Sequence, residues 1–110
     1  MPNKFSRKLS QNVSNTFSVV GSYSVNAATQ VTVIGLTVAN KVSSQILVDV
    51  VLNAGTSNTH LIKEAPVPSG GAIVIVGGDQ KVVMEPTDRI LVKTDTANSA
   101  DVIMSVLEIT

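Results

Sequence analysis

The chain contains no cysteine and no tryptophan. Without a thiol there is no disulfide framework and no thiolate metal site. Aromatic rings are scarce: Phe5, Phe17 and Tyr23 are all there are in 110 residues. Three rings are too few for a base-stacking platform or an aromatic-lined sugar cleft. Charge of one sign is missing as well. Eight Lys and Arg oppose eight Asp and Glu, for a formal net charge of zero. A general nucleic-acid binder needs a cationic face that releases counterions, so nucleic acid is not an expected partner. No apolar run reaches the roughly 18 residues that mark a membrane-spanning helix, so no membrane partner is expected. Met1 to Lys8 lead into polar residues rather than an apolar signal core. The expectation is residence in the cytosol, or in a particle assembled there.

What is abundant is β-forming. Valine (19), isoleucine (8) and threonine (10) make up about a third of the chain. Residues 1–16 are the exception, rich in Ser, Asn and Gln with isolated Phe5, Leu9 and Val13. They read as an extended N-terminal arm whose apolar residues lie on the chain's own sheet or on a neighbour's. Residues 17–110 read as one β-domain. Residues 17–25 alternate as a half-buried strand, with a bulge expected at Gly21. Ile34, Leu36 and Val38 are expected on one face of the next strand. Ile46, Val48, Val50 and Leu52 are expected on one face of the strand after it, opposite Asp49 and Asn53.

Asn53 to Asn58 is a loop by composition, and residues 59–63 make a short strand. Ala65 to Gly71 cannot be a central strand, because two prolines remove ladder donors. Residues 72–76 and 81–85 flank Gly77 to Gln80 and predict a hairpin. Glu85-Pro86-Thr87-Asp88 is a turn with proline at its second position. Strands over 89–94 and 101–109 complete the chain. About eight antiparallel strands with turns every 8–12 residues predict an all-β sandwich or jelly roll.

Two patterns point to self-association. Several strands are apolar on both faces. In the last one, Val102, Met104 and Val106 face one way, while Ile103, Leu107 and Ile109 face the other. A small sandwich leaves one face of each sheet wet, so two-sided strands call for a second cover, and a partner subunit supplies it. Charge is also segregated: residues 1–48 carry +4 and residues 49–110 carry −4. Such asymmetry suits contact between different surfaces of neighbouring copies. The expected contact residues are Phe5, Arg7, Lys8 and Leu9 of the arm, then Ile103, Leu107 and Ile109.

Chemistry is thin. His60 is the only imidazole, and no GxSxG element accompanies it. Gly70-Gly71 and Gly77-Gly78 border strands, so they read as turns rather than a phosphate cradle. Thr94 to Asp101 offers oxygen ligands, but its spacing fits no EF-hand loop. Asp49 and Glu108 sit inside apolar strands as a candidate acid pair, but the aromatic cleft of a glycosidase is missing. No catalytic residue, metal or cofactor is expected.

Certain phrases carry a resemblance. They are Val33-Ile-Gly-Leu-Thr-Val-Ala-Asn40, Val48-Asp-Val-Val-Leu52, His60-Leu-Ile-Lys63, Ala65-Pro-Val-Pro-Ser-Gly-Gly71 and Gly77-Gly-Asp-Gln-Lys-Val-Val83. The ending Ser99-Ala-Asp-Val-Ile-Met-Ser-Val-Leu-Glu108 belongs with them. Over residues 30–110 the chain resembles small virion structural proteins of tailed bacteriophages. The resemblance implies a non-enzymatic virion component, assembled in the host cytoplasm. Its partners would be itself, for instance as a trimer, and the major capsid or tail proteins. A head-decorating cement protein is the first expectation and a neck, tail or fibre component the second. A carbohydrate- or receptor-binding β-sandwich is the reading from another class. Deleting residues 2–16 is expected to leave a folded domain that no longer binds the particle.

Overall fold

The computed structural model describes residues 3–77 and 81–109. Among the described residues nine strands follow one another: β1 (Asn3–Val13), β2 (Ser18–Val19), β3 (Gln30–Asn40), β4 (Ile46–Ala54), β5 (Ser57–Val67), β6 (Ala72–Val76), β7 (Val82–Met84), β8 (Arg89–Thr94) and β9 (Ala100–Ile109). They form two antiparallel sheets. One runs β1-β9-β3-β6 with β7 also on β3, and the other runs β2-β8-β4-β5. β6 and β7 share one position, so eight positions remain, and the chain passes back and forth between the sheets. This is the jelly-roll form of the β-sandwich.

Period-two alternation builds the core between the sheets. Val31, Val33, Leu36, Val38, Met84, Val102, Met104 and Val106 point inward from the first sheet, and Ile46, Val48, Val50, Ile90 and Val92 meet them from the second. On β3, Val31 and Val33 take the core side before Gly35, and Leu36 and Val38 take it afterwards. Ile34 was expected beside Leu36 and Val38. A register shift between Val33 and Gly35 inserts it as an extra residue and reverses the parity of the strand, so Ile34 is only half-buried.

Three further expectations meet a different arrangement. The strand expected over 17–25 stops after Val19. Gly21 turns left-handed (φ +61°) inside a short 3-10 turn, so Tyr23 is redirected. The short strand at 59–63 extends to Ser57–Val67 and includes Pro66. β5 lies at the edge of its sheet, where a missing donor is tolerated. The segments expected as a hairpin across residues 77–80 do not pair with each other. β6 lies against Leu36–Ala39 and β7 against Val31–Val33, as two collinear halves of one edge strand. Gly78, Asp79 and Gln80 lie outside the described residues.

Residues 3–13 of the expected arm are extended, and they fold onto the chain's own sheet. β1 pairs with β9 in register from Asn3↔Ile109 to Ser10↔Val102.

Asn40 ties the sheets together at one end. Its Nδ2 donates to the carbonyls of Ser44 (2.8 Å) and Val67 (3.0 Å), and its Oδ1 accepts from the Val42 N–H (2.9 Å). Thr94 and Ser99 hydroxyls, 2.6 Å apart, close the β8–β9 loop within the core edge.

Candidate functional site

The alternation that fills the core also decides what faces out. On β1 the odd residues Phe5, Arg7 and Leu9 point away from the sandwich. They lie opposite Leu107, Ser105 and Ile103 of β9. β9 in turn places Leu107 beside Thr32 and Ile103 beside Thr37 of β3. Val83 lies across from Thr32, and Val74 across from Thr37. The outer face of this sheet is therefore a band of apolar and threonine side chains that also holds Arg7 and Ser105.

Among the described residues, the large exposed hydrophobic ones are Phe5 (73%), Val74 (65%), Val83 (61%), Ile103 (53%), Leu9 and Ile109. All six stand on strands of this one sheet, and all point outward. Singly exposed apolar residues are ordinary; six on one continuous face are not. A shallow hollow of about 160 Å³ between Leu9 and Ile103 is lined also by Ser10, Gln11, Asp101 and Val102. That is smaller than a usual ligand pocket and suits an inserted side chain.

The opposite sheet shows a different outer surface. Asp49 is nearly buried there and accepts the Glu64 N–H at 2.7 Å. His60 Nε2 lies 3.8 Å from the other Asp49 oxygen. Lys93 stands 4.9 Å over the ring of Phe17. Arg89 donates to Asn53 Oδ1 from both Nε and Nη2. Polar groups here hold each other.

The expected contact residues fall into two groups. Phe5, Arg7, Leu9, Ile103, Leu107 and Ile109 share the outer face. Lys8 does not: it belongs to the even, inward series of β1, and its Nζ lies 4.2 Å over the Tyr23 ring. A strand sends neighbouring residues to opposite faces, so Arg7 and Lys8 cannot serve one surface.

Lys8 belongs to a polar fastening instead. The Tyr23 hydroxyl donates to Glu108 Oε2 (2.7 Å), and the Ser6 hydroxyl donates to Glu108 Oε1 (2.9 Å). The Tyr23 bond holds the Glu108 carboxyl below its ordinary value. Partial burial opposes this, and Ser6, Lys8 and Lys4 reinforce it. Burial, then the Glu108 hydrogen bond and charge, push the Tyr23 hydroxyl up. Asp49 and Glu108 lie on different sheets and form no acid pair.

Asp95 accepts from the Leu47 N–H and the Thr96 hydroxyl, and Asp101 accepts from the Asn12 N–H and Lys41. Among the described residues, no three His, Asp or Glu side chains gather around a point that could hold a metal ion. Sequence reading missed Val74 and Val83 as members of the face. The run AIVIV is apolar throughout, so its pattern alone does not say which alternate residues face out.

No protein-family model matches the chain, and no curated protein does. Solved structures do match in shape. One is a chain from Bacillus endospore appendages, described as a novel family of disulfide-linked pili. It is 11% identical, with a TM-score of 0.59, over 98% of this chain and 88% of that one. At that identity the likeness is one of fold.

Proposed function

We propose that this chain is a non-enzymatic structural subunit of a bacteriophage particle, a capsid decoration protein that associates with copies of itself and with neighbouring shell subunits. The observation that carries the reading is the apolar outer face of the β1-β9-β3-β6 sheet, where Phe5, Leu9, Val74, Val83, Ile103 and Ile109 all stand exposed. Covering it removes apolar area from water and adds cohesion to the assembly. The phage assignment rests on the sequence resemblance over residues 30–110. A neck or tail position uses the same face in the same way. A second reading, a subunit of an extended filament, is favoured by the fold likeness to the pilus chain. This chain has no cysteine, so its cohesion there would not use disulfides.

Light scattering over a concentration series tests the reading. A stable trimer or larger species is expected. A monomer at every concentration overturns it. Electron microscopy of particles formed with and without the protein then separates the alternatives: copies on the head support decoration, whereas free filaments support the second reading.

A further inference from the structure

β1 is attached to its own sandwich in an unusual way. None of residues 3–12 is buried, although they span most of an eleven-residue strand. Only Val13, at the end, enters the core. What holds the segment is the main-chain ladder to β9 and a row of polar bonds. Ser6 donates to Glu108, Lys8 covers Tyr23, and Ser10 Oγ accepts the Gly21 N–H at 2.9 Å. Removing the segment would unpack no apolar side chain of its own from the core.

A bulge marks where the attachment changes character. The β1–β9 register shifts between Ser10 and Val13, and Asn12 between them is left-handed (φ +56°). Beyond it the chain is pinned. Ser99 N–H donates to the Val13 carbonyl (2.9 Å), and Thr94 N–H donates to the Ser14 carbonyl (3.0 Å). Only Gln11 and Asn12 separate the last paired residue, Ser10, from the pin at Val13, a span of about 10 Å when extended. A neighbouring copy whose β9 lies within that distance of Val13 can therefore receive the segment.

From these observations we propose that residues 3–12 exchange between copies in the assembled state, each β1 lying on the β9 of its neighbour. The inference rests on the proposed function only in requiring neighbouring copies. A second copy is the fitting occupant because the β9 edge matches β1 group by group. Glu108 awaits a Ser6, Tyr23 a Lys8, and the Gly21 amide a Ser10. An identical strand restores these contacts in trans; a foreign strand restores only the ladder. Apart from the bonds of Asn12 to Asp101 and Lys41 at the crossing, the bonds made and broken are the same, so exchange costs chiefly association entropy, which a packed array reduces through high local concentration.

The absence of cysteine makes the test clean. Arg7 and Ser105 face each other across the β1–β9 ladder. The chain carrying both Arg7→Cys and Ser105→Cys is assembled and oxidised, so that a disulfide forms between cysteines in ladder register and not across the wider gap between packed sheets, then run on a non-reducing denaturing gel. Exchange gives a ladder of chains at multiples of 11.5 kDa. Co-assembled single variants give a dimer that neither variant gives alone. Both thiols consumed within single-chain mass would overturn the exchange, and so would thiols left unlinked. Leu9→Cys with Ile103→Cys, another facing pair, repeats the test should the first variant misfold. Light scattering on the same samples separates the two failures: an assembled protein with only intrachain links loses the exchange alone, and a monomer loses the proposed function as well.

Discussion

Thr87 occupies a position built for glycine. Pro86 sets the second place of the turn, the Asp88 N–H closes it on the Glu85 carbonyl at 3.0 Å, and the third place requires positive φ. Thr87 supplies it at φ +74°, against the preference of a β-branched residue. Its N–H donates to the Val25 carbonyl at 2.8 Å, which holds the strained residue in place. Thr87→Gly keeps that N–H and relieves the strain. It should raise stability by about 1 kcal/mol in urea unfolding, the usual cost of the left-handed region for a side-chain-bearing residue. A loss of stability would contradict this account.

Glu108 carries the pH prediction. Its folded carboxyl titrates below the ordinary 4.5, chiefly through the Tyr23 hydroxyl. A lowered folded value means that its contribution is complete above the unfolded value and is lost as pH falls through the folded one. Stability curves of the natural chain and Glu108→Gln should therefore be separated at neutral pH and converge in acid. Parallel curves down to acid pH would show that the carboxylate contributes nothing. Because Ser6 shares this carboxylate, loss of Glu108 should also loosen β1.

At the scale of elements, Asp49 explains an irregular edge. β5 slips register opposite Asp49, between the Val48↔Ala65 and Val50↔Ile62 pairs. Glu64 in the slip is left-handed at φ +51°, and its N–H is turned onto the Asp49 carboxylate. The bulge twists an edge that would otherwise offer a row of free ladder groups to another chain. Asp49→Ala should cost about 0.5–1.5 kcal/mol, since the Glu64 amide loses its acceptor in a part-buried bond. Amide exchange at Glu64 should accelerate more than at Val50, which stays in the central ladder. Equal protection of Glu64 in both proteins would reject the clamp. In sequence, Asp49 looked like a polar residue stranded in an apolar strand; its partner lies fifteen residues away and is a backbone group, which no side-chain pattern reveals.

At the scale of the whole molecule, the two outer surfaces differ in kind. One sheet presents paired polar groups, and the other presents six exposed apolar side chains on one continuous face. Val74→Glu with Val83→Glu tests this difference. Both side chains are largely exposed and outside the core, so the variant should unfold within about 0.5 kcal/mol of the natural chain. Its assembly should nonetheless be lost, because carboxylates would have to be desolvated in the contact. A variant that assembles normally would remove this face from the interface.

Alternation of apolar and polar residues determined the fold class, the strand segments around the core and the outward series Ile103, Leu107 and Ile109, because side-chain direction along a strand is a local property with a period of two. The turn at Pro86 was equally legible, since proline acts on its own φ. What alternation could not decide was where parity reverses and which strand meets which. Gly35 shifts the register on β3, Gly21 ends a strand that the pattern would continue, and β6 and β7 join the same neighbour instead of each other. Those outcomes depend on partners far away in the chain. The same dependence settled the exposed apolar face. Only pairing with β9 placed Phe5 and Leu9 beside Ile103, sent Lys8 to the other side, and put Val74 and Val83 on an edge where alternate side chains have nothing to cover them.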